Sequence, residues 1–347
     1  MRFLKYIIPI AVLFQNTVLP AQIGQYISGG KEDELILSSE MVNDSSLILA
    51  RQINKHIHVT KIKLDRSIEW DKSVAFDSNA ITEEVPVRIK IIDQNIFVVG
   101  KSVFQDEYDN LGLVLTCDLN GNIIKKKRIY SALIVSDIIK ISNLNYGFVG
   151  LGEWLGSETK GIIGIVDSNF NLLSKNTKSG YGNCWYKRIV LDSSGGIIVA
   201  ARTNTIGTGF DGLLIEKYDF NLKLTWQNYI NLDFRELDTY AIENFEHPLA
   251  LVLKSNGTII IFEAANWTES DHSSIAQLTI SNKGDLISKK LYNTRYFSET
   301  PYDVAELNNG SYAVAGAVND YASNNLYSGK SFIMLVDSSG RDRKSVV

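Results

Sequence analysis

The sequence predicts an all-β chain: a β-propeller of about six four-stranded antiparallel blades, or seven if the natural protein is longer. Three observations predict it. An apolar strand running into a turn that begins with Asp or a substitute recurs six times over the 347 residues. A small-residue turn and a β-branched run precede most of those recurrences. Several of the runs, Ile197-Ile198-Val199 among them, are apolar at every position, as strands covered on both faces are.

At the amino terminus, Met1-Arg2-Phe3-Leu4-Lys5 carries two cations, an apolar run follows from Tyr6 to Phe14, and Pro20-Ala21 offers a small residue before a cut. That order describes a secretory signal peptide. A spanning helix needs about 20 apolar residues, and Gln15, Asn16 and Pro20 interrupt this run first. Residues 1–21 are therefore expected to be removed and the product to be secreted, extracellular or held at the cell surface, with no integral membrane segment. No cysteine follows Ala21 closely, which argues against a lipid anchor.

Residues 22–341 carry the repeat, and a repeat should be sought before any other feature. Its anchor reads Ile62-Lys63-Leu64-Asp65, Leu115-Thr116-Cys117-Asp118, Gly164-Ile165-Val166-Asp167, Glu216-Lys217-Tyr218-Asp219, Leu278-Thr279-Ile280-Ser281 and Met334-Leu335-Val336-Asp337. Successive anchors stand 53, 49, 52, 62 and 56 residues apart. Each is a third strand, C. The second strand, B, lies upstream: Asn95 to Gly100, Tyr146 to Gly150, Gly195 to Ala200, Asn256 to Ile261 and Gly310 to Gly316. First strands, A, are expected at Val87 to Ile92, Ile134 to Ile141, Arg188 to Leu191 and Tyr302 to Leu307. Fourth strands, D, are expected at Asn122 to Tyr130 and Lys223 to Tyr229. Turns such as Asp118-Leu119-Asn120-Gly121 supply residues that tolerate the left-handed conformation, as tight hairpins require. Four strands in about 50 residues are a propeller blade. A β-helix needs shorter coils, and tandem sandwiches need longer units.

Gly195-Gly196-Ile197-Ile198-Val199-Ala200, Asp211-Gly212-Leu213-Leu214-Ile215-Glu216-Lys217-Tyr218-Asp219 and Leu224-Thr225-Trp226-Gln227 resemble the units of secreted bacterial β-propeller repeat proteins, of the form "DGGyivaG … D.lvvKlD.nG.l.W.k.y". The likeness covers nearly all of the chain after residue 21. It departs from the pattern at Leu222, where Gly is usual, and in the first blade. The resemblance implies a propeller and, in many members, a C-terminal sorting domain for type IX secretion.

Such a domain would lie beyond the present end. Asp342-Arg343-Lys344-Ser345-Val346-Val347 is what GATCGGAAGAGCGTCGTG encodes, a string that resembles a sequencing adapter. Residues 342–347 are accordingly expected to be a non-native tail, with the last blade incomplete before its fourth strand. An ordinary basic tail is the other reading.

Loss of Arg2 and Lys5 with the signal takes the formal charge from −4 to −6, a poor balance for nucleic acid. Lys125-Lys126-Lys127-Arg128 reads as a solvated edge. Two cysteines, Cys117 and Cys184, make no disulfide framework, and whether they pair stays open.

Chemistry is sparse. His56 and His58 could share one strand face, but nothing nearby supplies a third metal ligand. No G-x-S-x-G elbow occurs, and Cys184 has no identifiable base. Asp118-Leu119-Asn120-Gly121-Asn122 lacks the remaining ligands of a calcium loop. Neither metal nor cofactor is expected. The anchor Asps are assigned to turn capping, and Trp70 and Trp226 to wedging between blades.

Loop length points to one face. The A–B and C–D turns are tight, whereas the B–C connections Lys101 to Asn110, Glu153 to Lys160, Arg202 to Phe210, Ala265 to Ser274 and Asn319 to Lys330 are long. They carry the candidate ligand-binding residues Phe104, Tyr108, Glu153, Trp154, Phe210, Trp267, Glu269, Tyr321 and Tyr327. Aromatic faces with interspersed carboxylates suit a glycan or a protein partner; packing of these aromatics onto blade tops is the bland alternative. The first reading is a non-catalytic binding or scaffold module, monomeric. The second is an extracellular polysaccharide hydrolase or lyase whose carboxylates come from Asp106, Glu107, Asp109, Glu153, Glu158 and Glu269. Fold alone does not choose between them.

Overall fold

The computed structural model describes residues 34–346, except 44, 64, 66, 77–80, 105–109, 156–157, 179–182, 205–210, 232–248, 267–272, 293–297, 308, 320–329 and 339. It is all β: six four-stranded antiparallel sheets, each a blade of a β-propeller, with strands joined in chain order. The blades are β1(Glu34–Asn43), β2(Ser46–Ile53), β3(His56–Lys63) and β4(Ile68–Val74); β5(Ile81–Ile92), β6(Asn95–Phe104), β7(Leu111–Asp118) and β8(Ile123–Ile129); and β9(Ile134–Lys140), β10(Asn145–Leu155), β11(Glu158–Asp167) and β12(Leu172–Thr177). The other three are β13(Cys184–Asp192), β14(Gly196–Asn204), β15(Asp211–Tyr218) and β16(Leu224–Asn231); β17(Ala250–Leu253), β18(Ile259–Asn266), β19(Ser273–Ile280) and β20(Leu286–Tyr292); and β21(Ser298–Glu306), β22(Tyr312–Asn319), β23(Lys330–Val336) and β24(Asp342–Val346). The described part of the chain forms two compact units, divided between Leu191 and Asp192.

In the unit ending at Leu191, second and third strands supply the core. Ile48, Ile57, Ile89, Ile96, Leu113 and Leu115 form one buried cluster, and Phe97, Val114, Ile138, Phe148 and Ile162 another. In the unit beginning at Asp192, Phe262, Ile275, Tyr312, Val314 and Met334 do the same. Fourth strands are the exposed ones: β12 buries none of its six residues. First strands are innermost in a propeller, and β5 accordingly packs on both β1 and β9.

The C–D turns repeat one device. Asp118 Oδ1 accepts from Asn120 N at 2.9 Å and Asn122 N at 2.8 Å. Asp167 does so from Asn169 and Asn171, Asp219 from Asn221 and Lys223, and the Ser281 hydroxyl from Lys283 and Asp285. The assigned capping role is therefore seen. The turn residue three after each anchor has positive φ: Gly121, Phe170, Leu222, Gly284 and Gly340. Leu222, unusual in the repeat pattern, takes this conformation with φ 60.

Four expectations are corrected. In the first blade the anchor position is Lys63, whose N donates to Ser67 O as Asp118 N does to Asn122 O, and Asp65 sits two residues into the turn, capping Ser67. Two first strands are longer than expected, β5 beginning at Ile81 and β13 at Cys184; in β5 a bulge between Pro86 and Arg88 breaks the period of two that would have marked it. The segment Glu153 to Lys160 is strand almost throughout, with Trp154 opposite Thr159 and Leu155 opposite Glu158. The sixth blade is complete: β24 pairs with β23, Val336 opposite Asp342 and Ile333 opposite Val346. The turn from Asp337 to Arg341 delivers the chain to that edge, and backbone pairing there needs no particular side chains.

Trp70 and Trp226 act as wedges. A Cβ on Gly121 would stand 2.9 Å from the Trp70 ring, and one on Gly284 2.6 Å from the Trp226 ring. Trp70 Nε1 also donates to Leu119 O at 3.2 Å.

Candidate functional site

Of the expected ligand face, Tyr108, Phe210, Trp267, Glu269, Tyr321 and Tyr327 lie outside the described residues. Glu153 and Trp154 are on β10 close to its junction with β11. Phe104 ends β6, and its ring lies 5.7 Å from the Arg128 guanidinium. Arg128 belongs to the basic run, which is a fourth strand tied to neighbours: Lys125 Nζ donates to Ser168 O at 2.7 Å and Lys126 Nζ to Ala75 O at 2.6 Å. The expected long B–C connections hold in blades 2, 4, 5 and 6, whereas β2 and β3 are joined by Asn54 and Lys55 alone.

His56 and His58 face different carboxylates. His56 Nδ1 is 3.5 Å from Glu84 Oε2, and His58 Nδ1 is 3.6 Å from Asp71 Oδ1. Among the described residues no group of three or more His, Cys, Asp or Glu is placed to hold a metal, and no helix is long and apolar enough to cross a membrane. Cys117 and Cys184 are both free and buried. Burial, with Asp118 adding, pushes the Cys117 thiol up to about 12, so it is no thiolate nucleophile near neutral pH.

The described residues that do gather chemistry are on three consecutive first strands of the unit ending at Leu191. Two of them, β5 and β9, bulge opposite a glycine of the following strand. Gly100 lies so close to the preceding strand that a Cβ would be 2.0 Å from Val85 O, and Gly150 would put one 1.9 Å from Ile134 O. Only glycine fits there. The bulge offsets the next first-strand side chain: Arg88 opposite Val99 on β5 and Asp137 opposite Val149 on β9.

Asp137 is fully enclosed, with 1% of its side chain exposed. Its Oδ1 meets Lys90 Nζ at 2.6 Å and Arg88 Nε at 3.5 Å and accepts from Ile138 N at 2.8 Å. Its Oδ2 accepts from Ile189 N at 3.2 Å. Burial would raise the Asp137 pKa; the fields of Lys90, Arg88 and Arg188 overturn that and leave it below the usual aspartate value. Burial pulls the Lys90 amine below its usual range despite the partner charge. On β13, Lys187 and Arg188 are buried. Lys187 Nζ stands 3.0 Å over the Trp185 ring, and Trp185 Nε1 donates to Ser136 Oγ at 2.7 Å. A carboxylate held ionised and accepting at both oxygens cannot serve as a proton donor; it can orient the cations around it.

These residues were not singled out from the sequence, yet a signal exists. Arg88 precedes anchor Asp118 by 30 residues, Asp137 precedes Asp167 by 30, and Arg188 precedes Asp219 by 31. Aligning the repeats on their anchors puts Arg88 and Asp137 in one column, with Arg188 one position out.

No protein-family model matches the chain, and no curated protein does. Solved structures do. The chain is similar to the GH93 alpha-L-arabinofuranosidase of Fusarium graminearum in complex with arabinobiose, with TM-score 0.56 and 10% identity over 88% of this chain and 93% of that one. It is similar to the Penicillium chrysogenum alpha-L-arabinanase complexed with arabinobiose, with TM-score 0.57 and 10% identity over 88% and 94%. A puromycin hydrolase matches at TM-score 0.51 and 12% identity, over 86% of this chain and 43% of that one. At such identities the likeness is one of fold.

Proposed function

We propose that this chain is an exported glycan-active propeller, and that hydrolysis of a polysaccharide describes it better than passive binding. The observation that carries the reading is the match, over 88% of the chain, to two arabinan-cleaving enzymes crystallised with a disaccharide. Glycoside hydrolysis needs a carboxylic acid and a second carboxylate across the bond. The downward shift at Asp137 makes it a positioning group on this reading. The proton donor is then sought on the B–C side, where Glu153 and Glu158 flank the junction of β10 and β11.

Reducing-end release from a panel of neutral and acidic polysaccharides tests this reading. Turnover of at least one is expected, together with its loss in Glu153→Gln or Glu158→Gln. Tight binding on a glycan array with no release would favour the non-catalytic module, and neither binding nor release would overturn the glycan reading.

A further inference from the structure

We propose that Asn183, at the entry to β13, is a positioning residue for the junction of β10 and β11: it holds the strand that carries Glu158 where a proton can be given to the leaving sugar oxygen. The inference rests on the glycan-hydrolase reading above and adds a residue to its machinery.

A register break separates the junction from the rest of its blade. Pairing of β10 with β11 runs as far as Leu151 opposite Gly161, shifts there, and resumes as Trp154 opposite Thr159 and Leu155 opposite Glu158. On the other side of β11 the last pair with β12 is Thr177 opposite Ile162, after which Lys178 N donates to Gly161 O at 2.9 Å. Beyond that point the following blade takes over. Thr159 N donates to Asn183 Oδ1 at 2.7 Å, and Thr159 Oγ1 meets the same oxygen at 3.3 Å. One side-chain oxygen thus accepts the amide that a longer β12 would have paired.

Asn183 is itself firmly placed. Cys184, next to it, is buried, and Trp185 Nε1 donates to Ser136 Oγ on β9 at 2.7 Å. The entry of β13 lies so close on β11 that a Cβ on Gly161 would stand 2.8 Å from the Tyr186 ring and 3.2 Å from Cys184 Sγ. From the opposite flank Leu133 N donates to Leu151 O at 2.8 Å. A fixed first strand therefore holds Thr159, and Glu158 is the next residue along, about 3.3 Å away. Misplacing a reacting group by about 1 Å costs about a hundredfold in rate, so loss of this tie should be read in turnover.

The test uses the whole chain and the polysaccharide of the panel from which it releases reducing ends fastest. Asn183→Ala should lower kcat at least about tenfold with KM within about twofold. Deuterium uptake at the Thr159 amide should rise in the same variant. Asn183→Asp keeps an oxygen acceptor and should return kcat to within about threefold of the unaltered chain. If Asn183→Ala is not recovered folded, Asn183→Ser, whose hydroxyl is too short to reach both donors, carries the same comparison. A cap with structural duty alone would lower the melting temperature and leave kcat as it was. That result, or an equal loss of kcat in the Ala and Asp variants, would overturn the positioning role and leave the glycan reading intact. Unchanged uptake at Thr159 would overturn the tie itself. No release by the unaltered chain from any polysaccharide of the panel would overturn the hydrolase reading and the positioning role together.

Discussion

The C–D turns and the first strands of the same blades obey opposite rules. At the turns, Asp118, Asp167 and Asp219 do one job in one geometry, each accepting from the amides two and four residues on. At the first strands, Arg88 stands opposite Val99 and Asp137 opposite Val149, and in the other unit Ala250 stands opposite Phe262 and Asp303 opposite Ala315. The turns repeat because each must close the same hairpin. The first strands vary because no hairpin fixes their side chains.

The largest effect expected is at the bulges that make the first strands differ. Gly100→Ala or Gly150→Ala sets a Cβ about 2 Å from a backbone oxygen; more than about 4 kcal/mol should be lost, seen as failure to recover folded protein. The turn glycine Gly195 is the control. Its φ is +87 but nothing lies within 4 Å of its Cβ position, so Gly195→Ala should cost only about 1 kcal/mol. Equal losses at Gly100 and Gly195 would break the contrast.

Next comes Asp137→Asn, which removes the charge that Lys90 Nζ meets at 2.6 Å and Arg88 Nε at 3.5 Å. Removing one partner of a buried pair costs about 3–5 kcal/mol, readable in denaturant melts. The effect carries a pH signature. The folded pKa of Asp137 lies below its ordinary 3.8, so its contribution is complete above that value and fades as pH falls through the lower folded one. The Asn variant should lack that part of the acid sensitivity. Trp226→Ala removes a half-buried wedge from Gly284 and should cost about 2 kcal/mol. Smallest is Ser281→Ala, which deprives two turn amides of an acceptor at 3.2 and 3.0 Å and should cost about 1 kcal/mol.

The same division explains what was legible. Asx chemistry is local, so Asp118-Leu119-Asn120-Gly121 announced its turn, and with it the repeat, the blade and the wedging tryptophans. The first blade misled because Lys63 holds the anchor position without a capping carboxylate. The start of β5 was hidden by the bulge at Pro86, which erases the alternation a strand is read by, whereas β9 was legible to within one residue despite its own bulge. The charged cluster was hidden by distance: Arg88, Asp137 and Arg188 meet only because two 50-residue repeats fold between them. The edge from Glu153 to Lys160 read as a loop because glycine and polar residues there resemble a turn, although the pairing continues to Leu155 and Glu158.

Reducing-end release by the whole chain from neutral and acidic polysaccharides tests the central claim most directly. The account predicts turnover of at least one of them, lost in Glu153→Gln or Glu158→Gln. Absence of both binding and release with every one of them would contradict it.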